Sequence, residues 1–123
     1  MAHILVVDDE QSICELLEIT FRKEGHRVEV ARNGETAKRL LQSQIFDIVI
    51  SDIRMPGKVN GADVHAWIQK NRPELRTRII LISGDTANSE TQTLLAQSGT
   101  PCIEKPFRVQ QLMSVVEKTF GKP

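Results

Sequence analysis

The 123-residue sequence carries no excess of either charge, its 16 Lys and Arg being matched by 16 Asp and Glu. No long-range field therefore draws it to nucleic acid or to an acidic membrane, and direct DNA binding by this chain is not expected. It has only two cysteines, Cys14 and Cys102, with neither a C-x-x-C nor any metal-ligand spacing. It lacks a signal-peptide pattern and any apolar run of membrane-spanning length, so a reducing, cytoplasmic setting away from membranes is expected. Its three histidines, His3, His26 and His65, are scattered singly and read as surface or half-buried residues rather than ligands. Tyrosine is absent altogether. What remains is 40% hydrophobic and 26% charged, the mix of an ordinary soluble protein. The length suits one domain over residues 1–123, burying about two-thirds of the surface that the unfolded chain exposes.

Short apolar runs alternate with segments of helical period. "HILVV" (3–7), "RVEVA" (27–31), "DIVIS" (47–51), "RIILIS" (78–83) and "PCIE" (101–104) read as strands, being short, β-branched and bounded by Gly, Asn, Asp or Pro. The first, third and fourth are continuously apolar, as strands covered on both faces should be, whereas "RVEVA" alternates and suits an edge. Between them, 11–24 places Ile13, Leu16, Leu17, Thr20 and Phe21 on one face and is closed by Gly25. Asn33 can cap a second helix that buries Ala37, Leu40 and Leu41. A third, after Gly61, presents Val64, Trp67 and Ile68 and stops before Pro73. The last, from about Arg108, aligns Val109, Leu112, Met113, Val116 and Phe120 as core packing. Segment 85–99 is helical in length but begins with Thr, Asn and Ser, which are mediocre helix formers. Only Leu94, Leu95, Ala87 and Ala96 can pack inward from it, so it reads either as a weakly held, movable helix or as a plain solvated one. Strict alternation of five β and five α segments predicts an α/β fold, a right-handed doubly wound (βα)5 sandwich around a parallel sheet.

In such sheets ligands bind outside the carboxyl ends of the strands. The first strand delivers Asp8, Asp9 and Glu10 there, the third Asp52, the fourth Ser83 and the fifth Lys105. Each has a plain explanation when taken singly: Asp8 and Asp9 as helix-start residues, Asp52 in a turn, Ser83 as a cap, Lys105 as a solvated charge. Together they make chemical sense. Carboxylates converging on one point cannot all stay ionised without a counter-charge, and a hard cation such as Mg²⁺ uses one or two carboxylates, waters and a phosphate oxygen. Lys105 and the Ser83 hydroxyl then suit phosphoryl oxygens, and Asp52 suits a carboxylate nucleophile forming an acyl phosphate.

"VVDDE", "DIVISDIRMPG", "ILISGD" and "EKPF", in this order between Ile4 and Phe120, resemble the receiver domain of two-component response regulators. The resemblance implies a flavodoxin-like strand order 2-1-3-4-5 and a phosphorylation switch rather than an ordinary enzyme. It implies Asp52 as phospho-acceptor, loaded from a phosphohistidine on a histidine kinase or phosphotransfer protein. Mg²⁺ would be held by Asp9, Asp52 and the backbone carbonyl of Arg54, with Asp8 acting through water. Ser83 and Lys105 would touch the phosphoryl oxygens, and Lys105–Pro106 would be a cis peptide. The output would be carried to a downstream protein by the 86–98 helix, the fifth strand and the last helix. A homodimer through the fourth and fifth helices is compatible with the resemblance, although nothing in the sequence calls for one.

Three features depart from the family pattern. Cys102 stands where an aromatic switch residue is usual, and the absence of tyrosine leaves Ser83 to pull the loop. "MPGKVNG" is one residue longer than usual, with turn signals at Pro56-Gly57 and Asn60-Gly61 to absorb the extra residue. Arg54 and Asp85 flank the site where they would affect attack by water on the acyl phosphate. Two rivals stand beside the switch. One is a receiver-like interaction module that never carries phosphate. The other is a small Mg²⁺-dependent aspartyl phosphatase, opposed by Arg54 in place of a second Asp.

Overall fold

A computed structural model describes residues 2–55, 57, 59–85 and 87–121 of the chain. The Pro56 turn position and the first residue of the expected 86–98 helix lie outside the described residues. In chain order the elements are β1 (His3–Val7), α1 (Gln11–Lys23), β2 (Arg27–Ala31), α2 (Gly34–Ser43), β3 (Ile48–Asp52), α3 (Gly61–Asn71), a 3₁₀ turn (Pro73–Leu75), β4 (Ile79–Ser83), α4 (Ser89–Ser98), β5 (Cys102–Glu104) and α5 (Val109–Phe120). All neighbouring strands are parallel and the order is β2-β1-β3-β4-β5, so the alternating "RVEVA" is indeed an edge.

The period-2 rule for strands divides the core in two. Ile4, Val6, Ile48, Ile50, Ile80 and Ile82 face one way, against Leu17 and Phe21 of α1 and Leu112 and Val116 of α5. Leu5, Val7, Val49, Ile79 and Leu81 face the other, against Ala37 and Leu41 of α2 and Val64 and Ile68 of α3. Both faces of β1, β3 and β4 are buried, which is why those strands read as unbroken apolar runs. Each such side chain contributes about 1.5–3 kcal/mol of transfer free energy.

Four local expectations are corrected. β3 runs one residue later than 47–51, so Asp52 is the last strand residue rather than the first of the loop. The cause is pairing across the β3–β4 ladder, where Asp52 lies opposite Ile82 and the Ile53 N–H donates to the Ile82 carbonyl at 2.9 Å. On α1 the buried stripe is Cys14, Leu17 and Phe21, while Leu16 is 40% exposed. Cys14 is drawn inward because its thiol donates to the carbonyl of Asp8 at 3.2 Å. On α4 the buried residue is Thr91, Leu94 and Leu95 are half-buried, and Ala87 and Ala96 are exposed. The cap explains this: Asn88 accepts from the Glu90 and Thr91 N–H groups, so the helix starts at Ser89 and Ala87 falls outside it. Gly99 ends α4 at φ +66, the left-handed conformation that glycine adopts without strain. Leu40 and Trp67, expected inside, are half-buried at the edges of the second core.

Candidate functional site

The carboxyl end of β1 is pinned from both sides. The Asp8 N–H donates to the Ala31 carbonyl on β2 at 3.1 Å, and Asp8 Oδ1 accepts from the Glu10 N–H at 2.9 Å. Asp8 is therefore fully buried and fixed, rather than serving as the helix cap, which is Glu10. Asp9 is half-buried, and its backbone carbonyl accepts from the Arg32 guanidinium at 3.0 and 3.3 Å. Asp52 is 4% exposed, and its Oδ1 receives a long hydrogen bond from the Arg54 N–H at 3.4 Å.

The segment after β3 folds back onto it. Gly61 donates its N–H to the Ile53 carbonyl at 2.8 Å, and a Cβ at this position would collide with the Asp52 carbonyl and lie 2.6 Å from Ile53 Cα. Only glycine permits this approach. Asn60 and Asp63 then close a reciprocal capping box on α3, at 3.0 and 2.9 Å.

These elements bring Asp8, Asp9 and Asp52 together, each offering one oxygen within 4.8 Å of the others. Lys105 completes the group. The Lys105 N–H donates to the Ser83 carbonyl at 2.7 Å, and the Lys105–Pro106 peptide is cis. Lys105 Nζ lies 3.1 Å from Asp52 Oδ2, 2.8 Å from Glu10 Oε1 and 3.1 Å from Asp8 Oδ2. Ser83 is buried at the same strand ends, its hydroxyl accepting from the Asp85 N–H at 3.1 Å. The Arg54 guanidinium reaches out to Asp85 at 3.8 Å, with both side chains more than half exposed, so this pair is weak. Cys102, half-buried on β5, stays outside the cluster. Its thiol is pushed up by burial and by Glu104 beside it, and is therefore protonated. The sequence does not predict the grip of Glu10 on Lys105. Its only sequence signal is the third acidic residue in "DDE".

The electrostatics are those of an anionic site short of cations. Burial, and the Asp8 carboxylate next to it, push Asp52 up to about 6, against the pull of Lys105 and the Arg54 N–H. Burial also raises Asp8, despite the Glu10 N–H and Lys105. Burial alone would lower Lys105, but its bonds to Glu10, Asp8 and Asp52 outweigh that and hold it above its usual range. The Lys105 ammonium touches three carboxylates, those of Asp8, Glu10 and Asp52, and the Asp9 carboxylate adds a further negative charge to the cluster. Asp8 Oδ2, although 3.1 Å from Nζ, lacks the angle for a hydrogen bond and is left buried without one. A buried carboxylate oxygen without a donor, among three all-oxygen ligands, is consistent with a hard divalent cation. The histidines lie elsewhere: His26 Nδ1 accepts from the Ala2 N–H, and His65 Nε2 meets the Thr100 hydroxyl. Among the described residues no helix is long and apolar enough to cross a membrane.

Comparisons with known proteins agree with this geometry. Residues 4–117 match the family described as Response regulator receiver domain. Response regulator SaeR of Staphylococcus aureus is 34% identical over 130 aligned positions, which take in all of this chain and 55% of SaeR. The chain thus spans about half the length of the curated relatives it matches. Among solved structures, response regulator TrrA of Thermotoga maritima, crystallised in complex with Mg²⁺-BeF, superposes with a TM-score of 0.80 at 36% identity, covering 98% of this chain and all of that one. Chemotaxis protein CheY4 of Vibrio cholerae gives a TM-score of 0.85 at 28% identity, over 98% and 99% of the two chains.

Proposed function

The chain belongs to the response regulator receiver family, a phosphorylation-regulated signalling module rather than a classical enzyme, and from that premise we propose that Asp52 is the residue that takes the phosphoryl group. The observation that carries this assignment is one distance set: Asp52, on a rigid strand end, lies 3.1 Å from Lys105 and within 4.8 Å of the oxygens of Asp8 and Asp9. That residues 1–123 act as one receiver domain, in the cytoplasm, is part of the same proposal.

In this reading an ionised Asp52 oxygen attacks the phosphorus of a phosphohistidine on a partner histidine kinase or phosphotransfer protein. The P–N bond breaks, the imidazole leaves with its electron pair and is protonated, and an acyl phosphate remains on Asp52. Mg²⁺, held by Asp9, Asp52 and the Arg54 carbonyl, with Asp8 through water, would supply charge neutralisation to the phosphoryl oxygens when bound. The Mg²⁺-BeF in TrrA supports that choice of ion. Lys105 orients the group through its ammonium. Ser83 keeps accepting from the Asp85 N–H and turns its own O–H to donate to a phosphoryl oxygen. That bond ties the phosphoryl group to the end of β4 and to Asp85, and with Cys102 in place of an aromatic it is the main link to a downstream partner. Phosphate binding shifts the population only by its differential affinity for the two states, about 5.5 kcal/mol being needed to move 1:99 to 99:1.

The Cys102 substitution favours one rival, a receiver-like module that never carries phosphate. Mg²⁺-dependent labelling from a phosphorylated histidine kinase separates the two. Labelling of the wild type that disappears in Asp52→Asn is expected, and equal labelling of both would remove Asp52 as the acceptor.

A further inference from the structure

Lys105 has three N–H donors, and its ammonium is shared among three carboxylates that differ in their ability to let go. Nζ lies 2.8 Å from Glu10, 3.1 Å from Asp52 and 3.1 Å from Asp8, and these side chains are 53%, 6% and 1% exposed respectively. Taking the ammonium from Asp8 strands a buried charge without a counter-ion. Releasing Glu10 only returns an exposed carboxylate to water. Glu10 is also the first residue before α1, yet its side chain makes no cap bond there. The carboxylate that could have served the helix start is committed to Lys105 instead.

We propose that Glu10 is a positioning residue acting through Lys105: it holds the ammonium beside Asp52 before phosphorylation and yields it to the incoming phosphoryl group. This rests on the reading of Asp52 as acceptor. It has a consequence that a merely structural role does not share. Before phosphorylation, Glu10 adds negative charge to the site and takes up part of the ammonium's charge while Nζ stays beside Asp8 and Asp52, which favours a divalent cation. Once an anionic phosphoryl group sits on Asp52, the same carboxylate competes for the ammonium and repels the newcomer. Removing its charge therefore moves cation and anion affinities in opposite directions.

The test uses the whole chain, Mg²⁺ alone titrated by calorimetry, and beryllofluoride titrated at saturating Mg²⁺. Glu10→Gln is expected to weaken Mg²⁺ by about two- to five-fold and to tighten beryllofluoride by about the same factor, the range for one exposed ion pair. Glu10→Asp keeps the charge and is expected to shift both less. Wild type that takes up no beryllofluoride overturns the reading of Asp52 itself. Wild type that binds it, with Glu10→Gln showing anything other than opposite shifts, or Glu10→Asp shifting as far as Glu10→Gln, overturns the role of Glu10 alone.

Discussion

Asp52 holds its negative charge at a cost to the fold, and the cost can be measured. Its pKa is raised from 3.8 to about 6, first by burial and then by Asp8. The native state therefore binds this proton more tightly than the unfolded chain does. Between pH 3.8 and about 6 the folded form carries the larger share of protons, so stability falls as pH rises through that window. A rise from 3.8 to about 6 corresponds to at most about 3 kcal/mol of stability at neutral pH. Asp52→Asn removes the charge and keeps the shape, and Lys105 retains Glu10 and Asp8 as partners. In EDTA at pH 7.5 the variant is therefore expected to be more stable than wild type by up to about 3 kcal/mol, or roughly 10 °C in Tm for a chain of this size. At pH 4, where wild-type Asp52 is protonated in the folded state, the gap should close. Urea unfolding of both proteins at a series of pH values reads this directly. Equal stability at pH 7.5, or a gap that widens towards pH 4, would refute the reasoning.

Other outcomes follow from the same geometry. Mg²⁺ at a hundred times its Kd should stabilise the wild type by about 2.7 kcal/mol, and thermal unfolding of Asp9→Asn in the same buffer should show most of that gain lost. Gly61→Ala drives a Cβ into the Asp52 carbonyl and Ile53 Cα. It should cost about 1–3 kcal/mol in urea unfolding and weaken beryllofluoride binding, because the strand end carrying Asp52 must shift. Asn60→Ala breaks the α3 capping box and should cost about 1 kcal/mol in the same assay.

The sheet was legible because β1, β3 and β4 are covered on both faces, which turns their sequences into unbroken apolar runs that end where the polar residues begin. Asp8, Asp9, Asp52 and Lys105 followed from that, since a parallel topology delivers all strand ends to one edge. Where the expectations missed, the deciding contact was non-local. Leu16 and Cys14 compete for the inner face of α1, and the carbonyl of Asp8 selects Cys14. Asp52 belongs to β3 only because β4 continues its ladder. The start of α4 is set by the Asn88 side chain, which removes Ala87 from the helix. The hold of Glu10 on Lys105 joins residues 95 apart in sequence, and no periodicity in either segment announces it.

The most direct measurement is the intact mass of the chain after incubation with Mg²⁺ and a small phosphodonor such as phosphoramidate, followed by peptide mapping. One added phosphoryl group on the peptide containing Asp52, absent without Mg²⁺ and absent in Asp52→Asn, is the predicted result. A phosphoryl group at another residue, or none on protein shown to be folded, would contradict it.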